Sequence, residues 1–187
     1  MERIPDVIES ERLTIRPWVE ADAPQLSAAI LVSVDHLRPW MPWAANEPIT
    51  LAERIALIEH WRAEWDKGGD LVVGLFIDGE VVGGSGLHRR GGPDALEIGY
   101  WVHADHVGRG IASEAAAALT ATAFTMPEIE RVEIQHDRAN IASFGVARRL
   151  AFTYAGETPA AVTAPGEDGV DCRWFITREQ WVEHHRD

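Results

Sequence analysis

The stretch from Leu96 to Ala115, "LEIGYWVHADHVGRGIASEA", changes its period part-way along. In its first half Leu96, Ile98, Tyr100 and Val102 share one face of an extended segment, while Glu97, Gly99, Trp101 and His103 share the other. In its second half short side chains run on into "AAAALTATAF", which predicts a helix beginning close to Gly108-Arg109-Gly110. A helix entered in this way leaves its first amide hydrogens unpaired, at the positive end of the helix dipole. Glycines at the entry let an anion approach the backbone closely. A pyrophosphate is the natural guest, and the small residues Ala115, Ala116, Ala117 and Ala118 allow the helix to lie near the sheet.

Working outward, "LVVGLFI" and "VVGGSGLH" flank Asp78-Gly79, a dipeptide suited to a tight hairpin turn. With "ALEIGYWVH" they make three antiparallel neighbours. Upstream, "RLTIRPW" alternates as a strand, and "VEADAPQLSAAILVS" has helical spacing at Leu26, Ile30 and Leu31. The prolines of "HLRPWMPWAANEP" forbid regular helix. Thr50 followed by Glu53 predicts a capping box for a helix that stops at Gly68-Gly69. Downstream come a strand "RVEIQHD", a helix "NIASFGVARRL", a strand "AFTYAGE", a loop "TPAAVTAPGEDG", a strand "VDCRWFI" and a final helix "TREQWVEHH". The order predicts an α/β (α+β) fold with a mixed, mostly antiparallel sheet flanked by helices. With 187 residues and no internal repeat or long linker, one domain over 1–187 is expected.

Bulk composition narrows the classes of function. The formal charge of −13 opposes nucleic-acid and anionic-membrane binding and favours a cationic partner. Yet Arg89, Arg90, Arg109, Arg131, Arg138, Arg148 and Arg149 gather in one part of the chain, where an anionic cofactor could be held. One cysteine, Cys172, offers neither an internal disulfide nor a zinc pair and fits a reducing cytoplasm. The opening "MERIPDVIES" does not read as a signal peptide, and no stretch approaches the roughly 20 apolar residues of a membrane span. His103 and His106 resemble a ligand pair but have no third ligand, so no metal is expected.

Taken alone, Gly108-x-Gly110 means no more than a turn. A dinucleotide fold is a sharper rival, disfavoured by Ser113 at its third glycine place and by a strand that follows a hairpin in mid-chain. No Gly-Lys-Ser/Thr follows to make a Walker loop.

The assembled pieces resemble the GNAT acyltransferases, and within them the ribosomal-protein N-terminal (RimJ/RimL-type) acetyltransferase group. "ERLTIRPW" is similar to that group's first strand, "LRPWMPWA" to its tryptophan-proline segment and "LEIGYWVHADHVGRGIASEA" to its cofactor motif. Asn140, Ser143, Val146, Arg149 and Phe152 are similar to its Asn-x-x-Ser-x-x-Val-x-x-basic-x-x-Phe segment. These lie in family order from about residue 10 to residue 177. Val107 departs from the Gln or Arg that usually opens the cofactor motif; Gly110 and Ala112 match.

The resemblance implies an N-acetyltransferase using acetyl-CoA, with other donors such as succinyl-CoA open. It implies a pyrophosphate on the amides of Gly108, Arg109, Gly110, Ile111, Ala112 and Ser113 beside Val107. The pantetheine arm would lie along Tyr100, Trp101 and Val102 and meet Asn140, with Arg149 as a further cofactor contact. Glu97 is then the candidate base and Ser143 the candidate acid toward the leaving sulfur. Outside that context Glu97 reads as a charged residue on a wetter strand face and Ser143 as a helix-start hydroxyl. Trp40 and Trp43, fixed by Pro39 and Pro42, either wall an acceptor pocket or cap the core between the first two helices. Trp61 and Trp65 read as packing. An α-amino group, with its pKa near about 7.8, is found neutral more readily than a lysine near about 10.4. The acceptor expected is therefore a protein N-terminus or a small cationic amine. A non-catalytic acyl-CoA sensor and a dinucleotide-dependent oxidoreductase are the alternatives, and a monomer and a homodimer are both open.

Overall fold

Residues 4–184 are described in a computed structural model. The chain runs β1 (Ile8–Glu9), β2 (Thr14–Pro17), α1 (Ala23–Leu37), α2 (Leu51–Asp66), β3 (Leu71–Ile77), β4 (Glu80–His88), β5 (Ala95–Val102), α3 (Ile111–Ala123), β6 (Arg131–Asp137), α4 (Ile141–Arg149), β7 (Thr153–Pro159), β8 (Val170–Thr177) and α5 (Arg178–His184). Eight strands form one sheet in the order β1-β2-β3-β4-β5-β6-β8-β7. Every neighbouring pair is antiparallel except β5 with β6. The mixed, mostly antiparallel sheet expected from the sequence is thus present. Among the described residues no helix is long and apolar enough to cross a membrane.

Local rules account for the elements. Asp78 and Gly79 take φ of 50° and 83° between Ile77 and Glu80, the geometry that joins β3 to β4 in two residues. Thr50 accepts the Glu53 amide at 3.2 Å while Glu53 accepts the Thr50 amide at 2.7 Å, so the capping box of α2 forms as read. Gly68, at φ 82°, ends that helix. One expectation needs correction, and two features were not foreseen. Helix α1 runs on to Leu37, because the proline that stops it is Pro39, and Leu31 lies outside its buried stripe at 58% exposure. The last strand inserts between β6 and β7, which neighbour each other in sequence order but not in space. The two-residue β1 adds an edge that no pattern announced.

The two sheet faces carry separate cores. Ile111, Ala115, Ala116, Leu119 and Ala123 of α3, with Val146 and Ala147 of α4, pack on Leu96, Ile98, Val132 and Ile134. Opposite, Ala23, Leu26, Ala29 and Ile30 of α1 and Ile58 of α2 pack on Trp18, Phe76 and Val81. Burying Leu26 or Ile58 stabilises by about 1.5–3 kcal/mol each. Helices α1 and α2 cover the β2–β5 half of their face. The outer part, bearing Gln135, Asp171 and Arg173, is left to form the wall of a cleft.

Candidate active site

Strands β5 and β6 pair for only three residues, Ala95 with Arg131, Leu96 with Val132 and Glu97 with Glu133. Beyond Glu97 they splay, while β5 stays paired to β4 as far as Val102 and β6 stays paired to β8 as far as Asp137. The His103 amide donates to the Val82 carbonyl and the Gly99 carbonyl accepts from Ser85 Oγ. Odd-numbered backbone groups of β5 therefore face β4, and by strand alternation the amides of Tyr100 and Val102 face the splay. The Val102 carbonyl is already taken by His36 Nε2 at 2.9 Å.

At the open end of the splay lies the glycine loop. Gly108 and Gly110 have φ of 73° and 80°, a conformation that disfavours a side chain at either place. Gly110 is the N-cap of α3 and its carbonyl accepts from Glu114. Among the described residues, no amide from Gly108 through Ser113 has a hydrogen-bond acceptor. Val107 is half exposed at 53% and adds no polar contact. Arg12 comes from far upstream to brace the loop: its Nη1 donates to the Arg109 carbonyl at 3.0 Å and its Nε to Glu114 at 2.7 Å. Burial would raise the Glu114 pKa, but hydrogen bonds from Ser10 and Arg12 overcome that and hold it below the usual carboxylate range. Sequence reading found Arg109 and missed Arg12, whose only signal was a basic residue opening a strand.

Asn140 caps α4 by accepting the Ser143 amide at 3.2 Å through its side-chain oxygen, which leaves its NH2 group for a ligand. Ser143 is buried and its hydroxyl lies 2.6 Å from the Tyr100 hydroxyl. Burial pushes the Tyr100 phenol up to about 12, against the smaller downward pulls of the Ser143 hydrogen bond and the Arg149 charge. A phenol that stays protonated can donate to Ser143 Oγ, freeing the serine hydrogen for another acceptor. Tyr100 was expected for its backbone alone; its side chain is the addition. Arg149 is exposed, lies back beside Gly145 and has no ion-pair partner among the described residues. It remains a cation available at the end of α4.

A cleft of about 1150 Å³ passes through the splay, with Tyr100, Asn140 and Ser143 on one side and Glu97, Gly99 and Trp101 on the other. Trp40 and Trp43 line it, and Trp43 meets Trp101 edge to face at 6.3 Å between ring centroids. Both tryptophans therefore stand in the cleft wall. Arg54 is nearly sealed at 2% exposure and fixes that wall, binding Glu47 at 2.6 Å and Ser27 at 3.2 Å. Gly166 donates its amide to the Pro39 carbonyl at 2.9 Å, docking the 160–169 loop against the tryptophan-proline segment. Glu97 faces the cleft with Arg90 on one oxygen at 2.8 Å. Trp61 and Trp65 pack against the two cores, as expected, and Trp61 also reaches the cleft. His103 accepts the Asp105 amide through Nδ1, and no group of side chains among the described residues is arranged to hold a metal.

The splay, the free amides and the intervening cleft fit an acyl-CoA, and comparison with known proteins decides the family. The acetyltransferase (GNAT) domain pattern matches residues 12–153. The chain belongs to the GNAT acetyltransferase family. A Bacillus subtilis (strain 168) protein, YdaF, named provisionally as a ribosomal N-acetyltransferase, is 30% identical over 173 residues, covering 92% of this chain and 94% of that one. RimJ of Mycobacterium smegmatis, solved with a CoA-disulfide, is 26% identical with a TM-score of 0.81, covering 94% of this chain and 88% of that one. RimL, a ribosomal L7/L12 α-N-protein acetyltransferase solved with coenzyme A, is 25% identical with a TM-score of 0.82, covering 94% and 98%. This GNAT protein is an N-acetyltransferase that uses acetyl-CoA.

Proposed function

We propose that this acetyltransferase modifies the α-amino group of a protein N-terminus, with a ribosomal protein as the target class. The observation that carries the reading is the β5–β6 splay, which opens into the cleft walled by Trp40 and Trp43 and whose strand β5 leads on to the unpaired amides of Gly108–Ser113. The relatives named for ribosomal N-termini support the acceptor class. So does the balance of charge on the cleft wall, where the carboxylates of Glu47, Glu97, Glu133, Asp137, Glu167 and Asp171 outnumber the guanidinium groups of Arg54, Arg90 and Arg173, which suits a cationic acceptor over an anionic one.

Each side chain has a role in this reading. Gly108 to Ser113 hold the diphosphate by their amides, with Arg109, Arg149 and Arg12 as nearby positive charge. The Tyr100 and Val102 amides and the Asn140 NH2 group hold the arm that follows, whereas the Trp101 backbone, expected beside them, faces β4 instead. Acetyl-CoA, when bound, supplies an acetyl group activated as a thioester. An amide of β5 at Val102 stabilises developing oxygen charge. Ser143, backed by Tyr100, offers its hydroxyl hydrogen to the departing sulfur. The acceptor amine must be deprotonated beside Glu97. Trp40 and Trp43 keep water from it. Neither the sensor reading nor the oxidoreductase reading gains an observation in its favour.

The test is thiol release with acetyl-CoA over a panel of N-terminal peptides, a lysine peptide, a polyamine and an aminoglycoside, with succinyl-CoA as second donor. Mass spectrometry locates the acetyl group, and calorimetry measures CoA beside NAD. Transfer to peptide α-amines is expected. Selective transfer to a small amine overturns the acceptor class, and absence of CoA binding overturns the whole reading.

A further inference from the structure

Across β4 and β5 from Glu97 stands a residue the sequence reading passed over. His88 is its registered partner, so the two side chains share the cleft face of the sheet. The next pair on that face is Gly86 with Gly99, and the absence of side chains there leaves room for the imidazole over both. An added Cβ would come within 2.9 Å of His88 Nε2 at Gly86 and 3.4 Å at Gly99. Asp70, on the loop entering β3, holds the other ring nitrogen: Nδ1 is 2.7 Å from Asp70 Oδ2. The second carboxylate oxygen accepts the Arg89 amide at 2.8 Å, which fixes the carboxylate in turn. Burial alone would raise the Asp70 pKa. The Arg89 amide and His88 hold it below the usual range, so it is ionised at neutral pH.

The two nitrogens therefore have different roles. With the Nδ1 hydrogen donated to Asp70, the neutral ring carries its lone pair on Nε2. Among the described residues Nε2 has no hydrogen-bond partner, and it is not sealed from solvent. The ring is 18% exposed and opens to the cleft above Gly99, two residues past the last β5 residue paired to β6. Glu97 has one oxygen committed to the guanidinium of Arg90. Of the two cross-strand neighbours, His88 is the one oriented by a carboxylate that is itself held by a backbone amide, with a free basic atom facing the cleft.

We propose that His88 is the base that deprotonates the acceptor, with Asp70 as its positioning residue; this rests on the acyl-transfer reading above. The acceptor ammonium gives one proton to Nε2. Its N–H bond breaks, an Nε2–H bond forms, and the positive charge passes from the acceptor to the imidazolium. The nitrogen keeps the electron pair that acyl transfer needs, and His88 later releases the proton to solvent. The charged groups about the ring are Asp70 behind it, Glu97 opposite, and Arg89 and Arg90 just past the end of β4. His88 and Asp70 thereby form an orienter–base pair of the kind that sets a tautomer in hydrolases.

The experiment compares wild type with His88→Gln, His88→Ala, Asp70→Asn and Glu97→Gln. Its readouts are kcat and KM over a pH series with one N-terminal peptide, calorimetric CoA affinity, and 15N NMR of the His88 ring without any ligand. His88→Gln is expected to lower kcat by about a hundredfold or more while leaving CoA affinity within about twofold. Imidazole in the buffer partly restores His88→Ala, a response that a purely structural role would not give. Asp70→Asn lowers kcat and shifts the ring away from the Nδ1–H tautomer that wild type shows. An Nε2–H tautomer in wild type overturns the proposal. So does a His88→Gln enzyme within about twofold of wild type, or a rate lost in Glu97→Gln and kept in His88→Gln. A wild-type protein that transfers acetyl to no amine overturns the acyl-transfer reading itself, and is told apart by its own missing turnover.

Discussion

Gly108 and Gly79 form a matched pair for testing the cofactor loop. Their φ values are 73° and 83°, and an added Cβ at either meets nothing within 4 Å. Substituting alanine therefore costs backbone strain alone, about 1–2 kcal/mol at each site. For a chain of this size that lowers Tm by about 2–8 °C. The two differ in what the strain moves. Relaxing Gly79 disturbs the β3–β4 turn, whereas relaxing Gly108 swings the Arg109 amide, which has no partner within the described fold. Losing one amide bond to a charged phosphate costs about 1.5–3 kcal/mol, or about ten- to a hundredfold in Kd. Calorimetry with CoA and thermal melts of both variants measure the two effects separately. Gly108→Ala should lose stability and CoA affinity together, and Gly79→Ala only stability. Equal CoA affinity in the two variants, with both melting lower, would refute the claim that this loop's backbone holds the diphosphate.

Three further outcomes are expected. Ser143→Ala and Tyr100→Phe should each lower kcat and leave CoA affinity nearly unchanged, Ser143→Ala the more strongly; steady-state kinetics beside calorimetry separates the effects. Trp43→Ala removes the edge-to-face contact with Trp101, worth about 0.5–1.5 kcal/mol, and should raise the acceptor KM without changing CoA affinity, as read by peptide titration. The Glu114 pKa is depressed in the fold, so the unfolded chain binds the proton first as pH falls. Its contribution to stability is present above the ordinary carboxylate pKa near about 4.3 and is lost as pH drops through the folded value. Glu114→Gln should therefore melt lower than wild type at pH 7 and approach it at pH 3, as followed by circular dichroism.

What could be read from the sequence was local. The strand–glycine–helix joint at 96–115, the Asp78-Gly79 hairpin and the Thr50 capping box each rest on residues within a few positions of one another, and all three form. What escaped depended on distant pairing. Nothing in "VDCRWFI" states that it slips between β6 and β7, and nothing in Leu31 states which side of α1 the sheet takes. The same holds for the site. Tyr100 meets Ser143 across 43 residues, His88 meets Asp70 across 18 and Arg12 meets Arg109 across 97. The glycines of "VVGGSGLH" were visible as a hairpin strand. That they clear room for an imidazole becomes evident only when β5 sets Gly99 beside Gly86.

The short register between β5 and β6 gives the middle of an eight-stranded sheet something normally found at its border, a strand edge with unmet amides. Exposed edges of that kind invite other chains to add themselves, and proteins usually blunt them with charge, proline or a bulge. Here the border is folded inward, where α3, α4 and the Trp43 wall admit only something slender. An aggregation hazard has been turned into a selective berth, and closing it by extending the pairing past Glu97 would make a sturdier sheet with nowhere for the donor to lie.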